Sequence, residues 1–89
     1  MDQNSLKFYA AELGAQIPTL DLHGFFPDQA LEKLDIFIYQ CVEKNADSAR
    51  IIYGGGTGKL RAEVLETLKK YSVVSVVRDE GGSCVIIIK

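Results

Sequence analysis

The sequence predicts an α/β domain in which two helices cover a four-stranded mixed sheet, a two-layer sandwich of order β-α-β-α-β-β. Three observations lead there. Short β-type runs at 19–24 and 49–53 are each followed by a segment of helical period. A β-branched run at 73–78 is followed by a glycine-containing turn and a last apolar run. Strand–helix–strand units impose parallel pairing, and the closing hairpin adds an antiparallel strand.

The first strand is "TLDLHG", 19–24. Leu20 and Leu22 fall on one face and Asp21 and His23 on the other, the two-residue period of an extended chain. Gly24 ends it. From Pro27 to about Lys44 the period becomes helical: Leu31, Leu34, Ile38, Cys41 and Val42 form a stripe, widened by Ala30 and Phe37. Pro27 suits a first turn, and Asp28 and Glu32 suit the positive end of the helix dipole. The second strand, "ARIIY" at 49–53, runs into "GGGTG". Leu60, Val64, Leu68 and Tyr71 then mark a second amphipathic helix, with Thr57 as its expected N-cap. "VVSVVR" at 73–78 is the third strand, "DEGG" the turn, and "SCVIIIK" a fourth strand that is apolar on both faces. Residues 1–17 read as a peripheral segment, with Leu6, Tyr9 and Leu13 as possible contacts, and residues 18–89 as the domain.

Composition bounds the function. Eighty-nine residues, 47% of them apolar, make one small domain with one core and no room for a second catalytic domain. Cys41 and Cys84 lack CxxC spacing and read as buried thiols of a cytosolic protein. No basic segment leads into an apolar run and no stretch approaches the length of a membrane span, so the expected location is cytoplasmic, away from membranes. Net charge is −2, which argues against strong non-specific binding to nucleic acid, but the halves differ: residues 1–45 carry −4 and residues 46–89 carry +2. Lys59, Arg61, Lys69, Lys70 and Arg78 all lie in or after the glycine loop.

The loop fails both nucleotide signatures. A Walker loop would need glycine at Tyr53 and a hydroxyl at Leu60, and a dinucleotide fingerprint starting at Gly54 meets Lys59 in its third glycine place. The physics that those motifs exploit remains. A loop with little side-chain bulk, opening a helix, brings backbone N–H groups close to an anion, and Lys59 and Arg61 add charge there. This fits a phosphate of a polynucleotide. In a parallel β-α-β unit the C-terminal ends of both strands lie on one edge, so Asp21, His23 and Tyr53 are expected around the entrance to the loop. His23 could act as general acid or base, while Asp21 could fix its tautomer, help to bind a cation or act on water. One histidine excludes a multi-histidine metal site, although a water-rich magnesium ion needs few protein ligands.

"LDLHG" at 20–24, "GGGTGKLR" at 54–61 and "GG" before the last strand together resemble the Smr domain, the small MutS-related domain found at the end of MutS2 proteins and as a stand-alone or fused module. The resemblance covers about residues 18–89. It implies a fold similar to the C-terminal domain of a bacterial translation initiation factor, nucleic-acid binding (DNA or RNA), and in several members endonuclease or nicking activity. It also implies links to DNA repair and recombination or to ribosome-associated work, with a fused or separate partner protein. By motif position, Asp21 and His23 carry over as the cleavage pair. Gly24 belongs to the first motif, Gly54, Gly56 and Gly58 carry over as loop glycines with Thr57 among them, and Lys59 and Arg61 are their basic flank. The second motif usually begins with histidine, and here that place is Tyr53. A phenol is a poor acid or base near neutral pH, so cleavage is expected to be weakened. After the double glycine, where the family usually has a further glycine and a threonine, this chain has Cys84 and Ile86. The expected function is phosphate-backbone binding with reduced nuclease activity, the alternative being an active DNA or RNA endonuclease centred on Asp21 and His23.

Overall fold

The computed structural model describes residues 5, 6, 8 and 17–89. The peripheral segment expected at 1–17 falls largely outside them, Tyr9 and Leu13 included. Leu6 is exposed rather than packed, and the Phe8 ring lies 5.4 Å from the Arg78 guanidinium.

The expected element order holds. β1 is Thr19–Asp21, α1 Pro27–Glu43, β2 Ser48–Ile52, α2 Lys59–Leu68, β3 Val74–Asp79 and β4 Ser83–Ile88. The sheet order is β1-β2-β4-β3. β1 pairs parallel with β2, Leu20 opposite Ile51, while β4 runs antiparallel to both β2 and β3. The expectation of parallel pairing from both strand–helix–strand units is therefore corrected. Only the first unit gives neighbouring parallel strands, because β4 inserts between β2 and β3. The cause is legible in β4 itself: Cys84, Val85, Ile86, Ile87 and Ile88 are all buried, which suits a strand flanked on both edges and covered on both faces.

Both helices lie on one face. Ala30, Leu34, Phe37, Ile38 and Cys41 of α1 and Val64 and Leu68 of α2 share one cluster with Ala49, Ile51, Cys84, Ile86 and Ile88, alternate residues of two strands. Within the α1 stripe the emphasis shifts: Phe37 is buried, whereas Val42 is 42% exposed, one position too far round the helix. Tyr71, beyond the end of α2, is half-buried and donates its hydroxyl to Asp35 of α1 at 2.8 Å, tying the helices together. Cys41 and Cys84 are both free and buried, and burial raises both thiols, Cys84 to about 11. Among the described residues no helix is long and apolar enough to cross a membrane.

The parallel pairing of β1 and β2 is what builds the site. Leu22 N–H donates to Ile52 O at 2.7 Å, so the two chains leave the sheet together, one into "HGFFP" and the other into "YGGGTG".

Candidate functional site

β1 ends at Asp21, two residues before His23. The Asp21 carboxylate stops it there: its Oδ1 accepts the backbone N–H of His23 at 3.0 Å, a turn of the type short polar side chains make two residues on. The same oxygen lies 3.1 Å from His23 Nδ1. These bonds, the backbone one foremost, hold the Asp21 carboxyl below its ordinary value. A proton on Nδ1 given to Asp21 leaves Nε2 as the basic nitrogen. His23 and Asp21 side chains are 72% and 55% exposed, so the pair fixes geometry more than it stabilises the fold.

The glycine loop packs directly against this turn. A Cβ at Gly54 would stand 3.3 Å from the His23 Cβ, and Gly54 has φ +80°, so glycine is needed there on both counts. Two further bonds anchor the loop's start. Tyr53 N–H and Gly54 N–H both donate to Gly82 O, at 3.0 and 2.8 Å, in the β3–β4 turn. The double glycine of the last motif is thus a support for the loop. At the far end, Gly58 rather than Thr57 is the N-cap of α2, with a left-handed φ of +84°, and Thr57 Oγ1 only accepts from Lys59 N–H at 3.4 Å. The expected cap moves by one residue because the backbone there needs a conformation that threonine resists.

Between the turn and the loop lies a cleft of about 290 Å³. Gly24, Phe25, Phe26 and Pro27 form one wall, and Gly55 to Leu60 with Tyr53 the other. Lys59 is exposed at the first position of α2, and among the described residues it has no carboxylate partner. The first-turn N–H groups of α2 lack intrahelical partners by the geometry of any helix start, and they open toward the same end.

Two expected site residues behave differently. Tyr53 does not turn its hydroxyl to Asp21 and His23. It is 4% exposed and donates to Asp79 Oδ1 and to Ser83 O, the latter at 3.0 Å. Burial first, then the Asp79 carboxylate, pushes the phenol far above its usual range, so it neither gives nor takes a proton near neutral pH. Arg61 is an ion-paired cation: its Nε and Nη2 both donate to Asp79 Oδ2, the first at 2.9 Å. Asp79 also accepts Gly81 N–H at 3.1 Å. Arg61, Tyr53 and Gly81 together hold its carboxyl well below the carboxylate range. Among the described residues no three metal-ligating side chains gather, so a magnesium ion here would take Asp21 as its anionic contact and water for most of its shell.

With this geometry, comparison with known proteins is specific. The family model of the Smr domain matches residues 20–89, from β1 to the end of the chain. This chain belongs to the Smr domain family. It is similar to endonuclease MutS2 of Symbiobacterium thermophilum, 38% identical over 76 residues, covering 81% of this chain and 10% of that protein. It is also similar to endonuclease MutS2 of Staphylococcus aureus, 42% identical over 67 residues, covering 71% of this chain and 9% of that protein. The chain thus spans about a tenth of the curated relatives it matches. The crystal structure of the Smr domain of Thermus thermophilus MutS2 superposes with a TM-score of 0.78 at 26% identity, over 82% of this chain and 99% of that one. That of YdaL, a stand-alone small MutS-related protein from Escherichia coli, gives 0.79 at 19% identity, over 100% and 77%, a likeness of fold.

In this Smr domain the residue that sequence reasoning missed is Asp79. It joins the second motif (Tyr53), the basic flank (Arg61) and the last turn (Gly81). The signal was present as the acid that opens the "DEGG" turn, but the partners are 26 and 18 residues away in sequence.

Proposed function

We propose that this Smr domain holds the phosphate backbone of DNA or RNA in the cleft between Gly24–Pro27 and Gly55–Leu60. The observation that carries the reading is the glycine loop running into α2, with the exposed Lys59, which has no carboxylate partner among the described residues, at its end. Bare backbone and a helix start receive the phosphate oxygens, and Lys59 neutralises one charge. Arg61 contributes less than its formal charge, because Asp79 holds it. The curated relatives are named endonucleases, and the domain forms about a tenth of their length, so a larger protein or a separate partner would bring it to its substrate, in repair, recombination or ribosome-associated work.

A second reading, phosphodiester hydrolysis, is favoured by the Asp21–His23 contact beside the loop. With Nδ1–H donated to Asp21, His23 Nε2 would take a proton from water as the water oxygen attacks phosphorus. The phosphorus–oxygen bond to the leaving nucleotide then breaks, and that oxygen takes a proton from solvent or from the protonated histidine. Loop N–H groups and Lys59 would stabilise the charge that builds on the phosphoryl oxygens. Tyr53, bound to Asp79, supplies no proton, so turnover should be slow.

A cleavage time course on labelled supercoiled DNA and structured RNA, with and without magnesium, beside His23→Ala, separates the two. Binding without cleavage by either form supports the first reading. Cleavage lost in the variant supports the second, and no binding at all rules out both.

A further inference from the structure

We infer that Phe26, next to Phe25 on the same cleft wall, is a stacking platform for an unpaired nucleobase whose phosphate lies on the glycine loop; this rests on the backbone-binding reading above and adds a preference for single-stranded nucleic acid.

Phe26 occupies the N-cap of α1 with no side-chain cap bond, where Ser, Thr, Asp or Asn would satisfy a helix N–H. The residue is 74% exposed, so the core does not explain it either. The backbone under it is firmly set. Pro27 confines the preceding residue to extended conformations, matching φ −69° and ψ 152°, and Ala30 N–H donates to Phe26 O at 2.9 Å. An apolar ring is thus held in water at a fixed place, which lowers the ordering needed to bind something flat. Phe25 is 40% exposed, and Lys33 Nζ lies 4.8 Å over its ring, placing a cation next to it.

The opposite wall selects the occupant. Apart from the buried Tyr53 and the half-buried Leu60 it is glycine backbone, Thr57 and Lys59, which offers a protein partner few protruding side chains but offers an anion donors and charge. An aromatic wall facing a phosphate-binding wall across one cleft matches a nucleotide, base to one side and phosphate to the other. Rings stack on any base, so the platform carries little sequence preference, and bases inside a duplex present their faces only to one another.

The test is titration of the chain with a single-stranded oligonucleotide carrying one 2-aminopurine, and with the same strand in a duplex, for wild type, Phe26→Ala, Phe26→Tyr and Lys59→Ala. Phe26→Ala should bind the single strand about 5- to 150-fold more weakly and lose the fluorescence quenching of a stacked base, a larger loss than the same variant shows on the duplex. Phe26→Tyr should retain both. Wild-type single-strand affinity in Phe26→Ala, alongside weakened binding by Lys59→Ala, overturns the platform and leaves the backbone reading standing. Equal losses on single strand and duplex also overturn it, and failure of the wild type to bind any strand overturns both.

Discussion

Replacing Asp79 by Asn should strengthen nucleic-acid binding while weakening the fold. The Asp79 carboxylate accepts Arg61 through one oxygen and Tyr53 and Gly81 through the other. Asn keeps the shape and one acceptor oxygen but removes the negative charge, so Arg61, three residues into the basic flank, is no longer neutralised where a backbone would approach. One added phosphate contact steepens the fall of log K with log salt by about 0.7 for single strands and about 0.9 for duplex. Between about 200 and about 50 mM salt, the variant's advantage over wild type should then grow by about 2.6- to 3.5-fold. Fluorescence anisotropy across a salt series reads this directly, with Lys59→Ala as the control expected to flatten the slope by a similar amount. The melting temperature of the same samples should fall for Asp79→Asn and stay put for Lys59→Ala. An Asn variant with wild-type slope and affinity, beside a weakened Lys59→Ala, would refute the claim that Asp79 masks Arg61.

Gly54→Ala should cost about 1–2 kcal/mol for its left-handed backbone alone, and its new Cβ would press on His23, 3.3 Å away. Gly55→Ala, which meets nothing within 4 Å, should stay within about 0.5 kcal/mol of wild type in urea unfolding; equal costs would mean that the loop is not held against His23. Tyr53→Phe should cost about 1 kcal/mol, because the ring stays buried while Asp79 keeps Arg61 and Ser83 O keeps Glu80 N–H at 2.8 Å. Binding should survive that change, and loss of cleavage at unchanged stability would contradict a bracing role for the phenol. Asp79, depressed below 3.8, contributes stability that is fully present above the unfolded value and is lost as pH falls toward its folded one. The melting gap between wild type and Asp79→Asn should therefore be widest near neutral pH and narrow below 3.8, and a constant gap would exclude this linkage.

What the sequence made legible was local. The alternation in "TLDLHG" predicted that Asp21 and His23 share a side, and the two do meet, but through the turn that the Asp21 carboxylate makes two residues on, since the strand itself stops at Asp21. Pro27 marked a helix start, and the helical period marked the faces of α1 and α2 that the sheet covers. What stayed hidden depended on strand order. Once β4 inserts beside β2, the β3–β4 turn lands against the glycine loop, and Gly82 O becomes the acceptor for Tyr53 and Gly54. Nothing in the spacing of residues 53 and 82 announces that bond. The Thr57 cap failed for a related reason: residue types predict caps, but the loop's path demanded a left-handed residue at Gly58.

The two halves of the site are secured unequally, and Tyr53 is where this can be tested. The loop that would hold phosphate is fixed by two backbone bonds to Gly82 O in the β3–β4 turn, whereas His23 is fixed by one exposed carboxylate. On the hydrolysis reading, perturbations should therefore impair cleavage before binding. Tyr53→His restores the residue type with which the family's second motif usually begins, at the expense of the brace, since a shorter imidazole would not reach both Asp79 and Ser83 as the phenol does. The expected outcome is a lower melting temperature and, on the hydrolysis reading, faster nicking, because a group able to exchange protons near neutral pH then stands at the loop's start. Nicking that stays at the wild-type level while the melting temperature falls would show that proton transfer at position 53 does not limit turnover. The slow step would then lie with His23 and its single anchor.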